Sequence, residues 1–233
     1  MKAGFKQTGL LRVASPLGAD DLLLDSMTGS EGLSELFRFS LHMRSPSTSL
    51  SAAAVVGKDM TVTIALPDGP SRYVSGIVTR FIQSGQDRDF ATYEAELAPA
   101  LWLLTLARDR KIFPNQGVDA VIKAVLTSFG VKFDSKLAGT YAVREYCVQY
   151  GETDFAFVSR LLEEDGIFWF FTHDSGKHTL VLGDSNDAFV AIPNGPKVKY
   201  LGQGMGEREL HGIRAGQVCL QAVAGVYRAT DYE

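Results

Sequence analysis

Residues 36–45 read LFRFSLHMRS, and from Phe37 to Met43 every second residue is apolar while the residues between are polar. A period of two places the apolar side chains on one face of a β-strand and the polar ones on the other. The same alternation returns in residues 60–66 (MTVTIAL) and 93–97 (YEAEL). The first hundred residues therefore predict short antiparallel strands arranged as a small barrel or sandwich.

Turn-forming residues separate these strands. Residues 67–70 (PDGP) combine prolines, which preset φ, with a glycine that tolerates positive φ. Residues 73–82 (YVSGIVTRFI) form a further β-rich run, in which Gly76 predicts a bulge or a sharp bend. A polar turn at 85–89 (GQDRD) then leads into the next strand.

The apolar spacing changes after Pro99. Apolar residues between 118 and 129 recur every three or four positions, which is the spacing of one face of an α-helix. Asn115 is the predicted N-cap of this helix, and Gly130 is predicted to end it.

A second helix is predicted over residues 154–164, with Thr153 as its cap and Gly166 at its end. Its inward-facing residues are expected to be Phe155, Val158, Leu161 and Leu162.

Beyond this helix the chain predicts a return to β-structure. Residues 167–171 (IFWFF) and 178–182 (HTLVL) form a hairpin with a turn at 173–177, and residues 216–226 regain β-like character after a stretch rich in glycine and proline. Because strands and helices segregate along the chain instead of alternating, the sequence indicates an α+β fold that is mostly β.

Composition excludes several classes of function. The chain has 233 residues, of which 45% are hydrophobic and 21% charged, as is typical of a folded globular protein. A net charge of −4 gives no electrostatic basis for binding nucleic acid or an anionic membrane. No apolar run reaches the roughly 18 residues of a membrane span, and no secretory signal is recognisable. We therefore expect a cytoplasmic protein that leaves the cell only through a dedicated export machine.

No metal or cofactor site is predicted. The histidines lack the spacing of known metal motifs; they are His42, His173, His178 and His211. Cys147 and Cys219 are interpreted as small buried hydrophobic side chains. The nucleophile motifs GxSxG and SxxK are absent from the sequence. The glycine-rich residues 202–206 (GQGMG) lack the GK[ST] of a phosphate loop and are interpreted as a flexible turn.

Glu163, Glu164 and Asp165 form the densest acidic cluster. Paired carboxylates suit glycoside hydrolysis, but adjacent helical residues point about 100° apart and rarely converge on one substrate atom. Negative charge at a helix C-terminus is also unfavourable, so we expect a basic partner within the fold or on another subunit. The cluster is therefore interpreted as intramolecular or solvated, as part of a subunit contact, or as catalytic.

The aromatic run from Phe168 to Phe171 (FWFF) also has three interpretations. It is a strand buried in the core, a strand packed against a neighbouring subunit, or a platform that stacks on sugar rings. The core is favoured because aromatic strands usually fill cores.

Several longer strings resemble the N-terminal region of VgrG proteins, the spike proteins of type VI secretion systems and relatives of the hub in contractile phage tail baseplates. They are 36–45, 57–66 (GKDMTVTIAL), 73–81 (YVSGIVTRF), 93–126 (YEAELAPALWLLTLARDRKIFPNQGVDAVIKAVL), 144–171 (REYCVQYGETDFAFVSRLLEEDGIFWFF), 178–184 (HTLVLGD) and the final DYE at 231–233. The resemblance extends from about Leu10 to Glu233, and it is strongest over 144–171.

The resemblance implies two related β-barrel domains with a helix-containing α/β insert. We expect the first barrel over residues 1–105, the insert over 106–184, and the beginning of an incomplete second barrel over 185–233. It also implies a homotrimer in the full-length protein, with the Hcp tube hexamer, baseplate components, and downstream effectors or a tip protein as partners. Export would follow assembly in the cytoplasm, through the type VI secretion machine.

The expected function is therefore structural and non-enzymatic: a trimeric hub that docks on the Hcp tube and carries the puncturing needle. The alternatives are a cell-wall glycoside hydrolase and a carbohydrate-binding β-barrel module. No catalytic, cofactor-binding or metal-binding residue is predicted. The residues expected near subunit contacts are Glu163, Glu164, Asp165, Phe168, Trp169 and Phe170.

Overall fold

The computed structural model describes residues 7, 9–18, 20–66, 70–190, 198, 200, 213, 215–220 and 222. The chain divides into two units, Met1–Phe189 and Val190–Glu233. The first unit contains all the helices and strands described below. In the second unit, Tyr200 and Ile213 form a parallel β-bridge.

Six antiparallel strands form the first sheet, and they lie in the order β1-β4-β5-β6-β3-β2. They are β1 (Leu11–Ala14), β2 (Leu23–Ser30), β3 (Arg38–Ser45), β4 (Asp59–Ile64), β5 (Arg72–Gln86) and β6 (Ala91–Ala98). The end strands β1 and β2 contact each other, so the sheet curls into a nearly closed barrel. Phe39, Leu41 and Met43 all lie inside it, which confirms the predicted alternation.

Gly76 has a different role from the one predicted. It pairs with β4 in regular register, whereas the irregularities in the β5–β6 pairing lie at 78–80 and 83–85. A Cβ at Gly76 would lie 2.9 Å from the carbonyl oxygen of Ala98 and 3.1 Å from the ring of Phe37. The bulge prediction is wrong; glycine is needed here because neighbouring groups approach the backbone closely.

The elements that follow the barrel form two small sheets and two helices. They are β7 (Arg108–Gly117), α1 (Val118–Ser128), β8 (Phe133–Lys136), β9 (Val143–Thr153), α2 (Asp154–Glu164), β10 (Phe168–Asp174) and β11 (Lys177–Gly183). Strands β7 and β9 pair antiparallel as a two-stranded ribbon. Strand β11 pairs antiparallel with β10 and parallel with β8. The mostly β, α+β architecture is confirmed, although β7 and β8 were not predicted.

The start of α1 differs from the prediction. Asn115 lies within β7 with a φ of +52°, and the residue before the helix is Gly117, which offers no capping side chain. The predicted end is confirmed, because Gly130 has a φ of +67° and its N–H donates to Thr127 at 3.0 Å. Such a left-handed glycine lets the chain reverse while the last helical carbonyls stay bonded.

Helix α2 begins and ends as predicted. The hydroxyl of Thr153 accepts the N–H of Ala156 at 3.1 Å, and Gly166 closes the helix with a φ of +68°. Val158, Leu161 and Leu162 face inward as predicted, but the aromatic member of this face differs. Phe157 is fully buried and stacks on Phe113 at 5.6 Å, whereas Phe155 is only partly buried.

The β10–β11 hairpin is tighter than predicted. Asp174 pairs with Lys177 across a two-residue turn, in which Gly176 has a φ of +77°. His173 therefore lies in the strand and not in the turn.

Several predictions fall outside the described residues. They concern the turn at 67–69, the glycine-rich segment 202–206, the DYE at 231–233 and about two thirds of the second barrel over 185–233.

Candidate interaction surfaces

The acidic cluster finds its basic partners inside this chain. Arg144 on β9 binds the carboxylate of Glu164 at 2.7 Å and also that of Asp165. Arg160 on α2 reaches the other carboxylate oxygen of Glu164 at 3.1 Å. Glu163 is exposed and forms no ion pair within the described part of the chain.

These contacts determine the charge state of the cluster. The Arg144 hydrogen bond holds the pKa of Glu164 below its usual value, and the same bond raises the pKa of Arg144. A general acid in glycoside hydrolysis needs a raised carboxyl pKa. The environment of Glu164 therefore opposes the catalytic interpretation.

Arg160 also protects a strand edge. Its guanidinium donates to the backbone carbonyl of Val148 at 3.3 Å and to the carboxylate of Glu152 at 2.7 Å. Strand β9 pairs with β7 on one side, so these bonds cover part of its other edge with an α2 side chain. Covered edges are poor sites for strand addition by another chain.

The aromatic run divides between two faces of the β10–β11–β8 sheet. Trp169 and Phe171 face the core, where they are 3% and 5% exposed and meet edge to face. Trp169 therefore offers little surface to a neighbouring subunit, and its position near subunit contacts stays a prediction.

Phe168 and Phe170 occupy the opposite face and are partly buried. The ring of Phe189 stacks on both, with centroid separations of 4.9 and 5.4 Å. Gly183 makes this possible, because a Cβ there would lie 2.9 Å from the Phe168 ring and 2.5 Å from Cβ of Ala188. The segment after β11 therefore folds back over the sheet, and most of the supposed sugar platform packs on its own chain.

A second surface, which the sequence analysis missed, is the outer face of the β7–β9 ribbon. Its apolar members are strongly exposed: Ile112 is 55%, Tyr146 63% and Tyr150 82% exposed. The guanidinium of Arg110 lies 5.7 Å from the ring centroid of Tyr150. Exposed tyrosine, arginine and aliphatic side chains are the composition enriched at the centres of protein–protein contacts.

The signal for this ribbon face was present in residues 144–150 (REYCVQY). Cys147 and Gln149 alternate there with Tyr146 and Tyr150, and the first two are buried. Burial raises the pKa of the Cys147 thiol, consistent with its predicted structural role. Cys219 is exposed, so the prediction of a buried side chain is wrong for it.

Two further observations concern the described residues alone. Within those ranges, no group of three or more His, Cys, Asp and Glu side chains is arranged to hold a metal ion. Neither helix found there is long and apolar enough to cross a membrane.

Comparison with known proteins gives these surfaces a family context. Residues 30–233 match the model of a family described as the phage tail baseplate hub (GPD). The type VI secretion system spike protein VgrG1a of Pseudomonas aeruginosa is 39% identical over 227 residues, which are 97% of this chain and 35% of the relative. VgrG1b of the same organism is 38% identical over 98% of this chain and 31% of its own length.

A solved structure of a type VI secretion system component is also similar to this chain. The E. coli c3393 protein, a component of the type VI secretion system with structural similarity to T4 bacteriophage tail proteins gp27 and gp5, has a TM-score of 0.63 and 29% identity. The match covers 71% of this chain and 49% of that one. These findings confirm the predicted VgrG resemblance, and the chain spans about a third of the length of the VgrG relatives.

Proposed function

We propose, because the chain belongs to the phage tail baseplate hub family, that it forms the structural base of a type VI secretion spike. In the full-length protein, three copies build a platform that docks on the Hcp tube hexamer and carries the puncturing needle. Baseplate components and downstream effectors or a tip protein bind the same assembly. The protein is assembled in the cytoplasm and is then exported through the secretion machine. The observation that carries the proposal is the family match over residues 30–233.

The role that we propose for this region is non-enzymatic. The Pseudomonas aeruginosa relatives VgrG1a and VgrG1b are spike proteins by name. Glu164 is held ionised by Arg144 and Arg160, and this opposes the glycoside hydrolase alternative. A double Glu163→Gln and Glu164→Gln variant of the full-length protein provides the test. Loss of cell-wall hydrolysis with secretion intact would favour the enzyme instead.

The ribbon face supports an assembly role, and we assign it to the contact between neighbouring protomers. Exposed tyrosines on a rigid strand pair provide large contact area at a small entropic cost. Glu163 and Glu164 are exposed, and Asp165, Phe168 and Phe170 are partly so. These five remain proposed, with the buried Trp169 of the same strand, to lie near subunit contacts. If these residues lie near subunit contacts, exchange of each one to Ala should weaken assembly of the full-length protein.

Measurement of the native mass of the full-length protein tests the proposal. We expect a trimer for the wild type, and a shift towards monomer for a variant with Tyr146→Asp and Tyr150→Asp. Val56→Asp is the control, because Val56 is an apolar residue that is 42% exposed and lies between β3 and β4 of the barrel, outside the ribbon. A wild-type protein that is monomeric at all concentrations would contradict the trimeric hub. A trimer unaffected by the two tyrosine changes would remove only the ribbon assignment.

A further inference from the structure

Two imidazole rings lie where the β10–β11 hairpin packs on the barrel. His173 on β10 and His178 on β11 have ring centroids 6.4 Å apart, and both contact the ring of Phe37. Their strands pack against β5 of the barrel. His178 is 9% exposed, and the side chain of His173 is 8% exposed. We call this contact zone the histidine seam.

Ring nitrogens in the histidine seam accept hydrogen bonds from backbone N–H groups of β5 and of the segment that follows β6. The N–H of Ala100 donates to Nε2 of His178 at 2.9 Å, and the N–H of Ser75 donates to Nδ1 of His173 at 3.1 Å. An imidazole nitrogen accepts only when it carries no proton. The bond between Ala100 and His178 therefore exists only while His178 is neutral.

The two histidines differ in the groups that a proton on the imidazole ring would face. Nδ1 of His173 also lies 3.1 Å from the Ser75 carbonyl oxygen, which is an acceptor for a proton on that nitrogen. Its Nε2 makes no hydrogen bond among the described residues but lies 3.4 Å from the Glu31 carboxylate, whose negative charge would favour a protonated ring. A proton on Nε2 of His178 would instead face the N–H of Ala100. Nδ1 of His178 has no hydrogen-bond partner among the described residues. Protonation of His178 is therefore unfavourable in the closed histidine seam, because no acceptor is available for the added proton.

The surrounding charges add to this asymmetry. The groups nearest the pair are Glu31, which faces His173, and Lys132, which acts on His178. At the hairpin tip, Lys177 pairs with Asp174 at 3.4 Å. Burial lowers the pKa of His178 to about 4, and the neighbouring His173 and the charge of Lys132 lower it as well.

We propose that the histidine seam is an acid-sensitive joint, in which protonation of His178 breaks its bond to Ala100 and loosens the histidine-bearing end of the β10–β11 hairpin against the barrel. The sign follows from linkage: a released His178 regains its ordinary proton affinity, so the open form binds more protons than the closed one. Acidification from about pH 6.5 towards pH 4 therefore favours opening, by up to roughly tenfold per pH unit. At neutral pH the joint stays closed. The proposal does not depend on the trimer or on the Hcp contact.

Amide hydrogen exchange on the complete chain tests this joint. After correction for the intrinsic pH dependence of exchange, the Ala100 amide should lose about tenfold or more of its protection between pH 7 and pH 4.5. His178→Gln removes the titration but keeps an acceptor oxygen, so its Ala100 protection should be independent of pH. His173→Gln should retain the wild-type pH dependence, because His178 is still present.

Two outcomes would overturn the proposal. The first is a wild-type Ala100 amide whose corrected protection is unchanged down to pH 4.5. The second is a folded His178→Gln variant with the same pH dependence as the wild type. If His178→Gln does not fold, the His173→Gln and Glu31→Gln variants decide. Loss of the pH dependence in either one would place the titration outside His178.

Discussion

Replacement of Gly76 by alanine tests whether close packing is what requires a glycine in β5. A Cβ here would lie 2.9 Å from the Ala98 carbonyl oxygen, 3.1 Å from the Phe37 ring and 3.3 Å from Cβ of Leu97. Ala98 belongs to the paired strand β6, and Phe37 is 1% exposed, so neither group can move without disturbing the core.

The expected cost follows from these contacts. Overpacking a core typically destabilises a protein by about 1–3 kcal/mol, and the upper part of that range applies because the nearest atom is backbone. Each kcal/mol lowers the Tm of a chain of about 150–250 residues by about 2–4 °C. Gly76→Ala should therefore lower the Tm by about 4–12 °C.

Gly85→Ala is the matched control in the same strand. Gly85 is exposed, and the nearest atom to its added Cβ would be Oγ1 of Thr92 at 4.0 Å. This change should be neutral or stabilising by up to about 1 kcal/mol, because it only restricts the unfolded chain. Urea denaturation followed by tryptophan fluorescence and circular dichroism gives both free energies of unfolding. An equal loss in the two variants, or none in Gly76→Ala, would refute the packing argument.

Three further outcomes are expected. Phe157→Ala should lower the free energy of unfolding in denaturant by about 3–5 kcal/mol, because the ring is fully buried. Phe155 is only partly buried, so Phe155→Ala should lower it by about 1–2 kcal/mol. Equal losses in the two variants would contradict the observed inward face of α2. Arg144→Ala should raise the pKa of Glu164 in an NMR titration, because the hydrogen bond that lowers it is lost. The stability cost should be about 1 kcal/mol or less, since the pair is partly exposed to solvent. An unchanged pKa of Glu164 would count against the ion pair. Asp184 accepts the N–H groups of residues 138 and 139, and these bonds hold its pKa below the usual value. Protection of those two amides from hydrogen exchange should therefore be present at neutral pH and be lost as pH falls below about 4. Asp184→Ala should remove this protection at every pH, and retained protection would show that other contacts order the loop.

Local patterns predicted the elements that depend on neighbours in sequence. The alternation around Leu41 and the glycine ends of both helices report on a few adjacent positions, so they could be recognised directly. Asn115 was misassigned because β7 continues to the helix, which a capping preference does not show. Strand β8 was missed because it is four residues long and owes its existence to parallel pairing with β11.

The candidate surfaces were less predictable because they depend on contacts between distant positions. Arg144 is 20 positions from Glu164, and nothing in the sequence connects them. Phe168 was recognised as part of a notable run, but its cover by Phe189 depends on how the chain reverses after β11. The ribbon face required the knowledge that β7 pairs with β9.

Phe189 is the last residue of the first unit and the outermost ring of the stack on Phe168 and Phe170. A pulling force applied to the chain beyond Phe189 would therefore act on the stacked aromatic rings before it acts on the hydrogen bonds of β11.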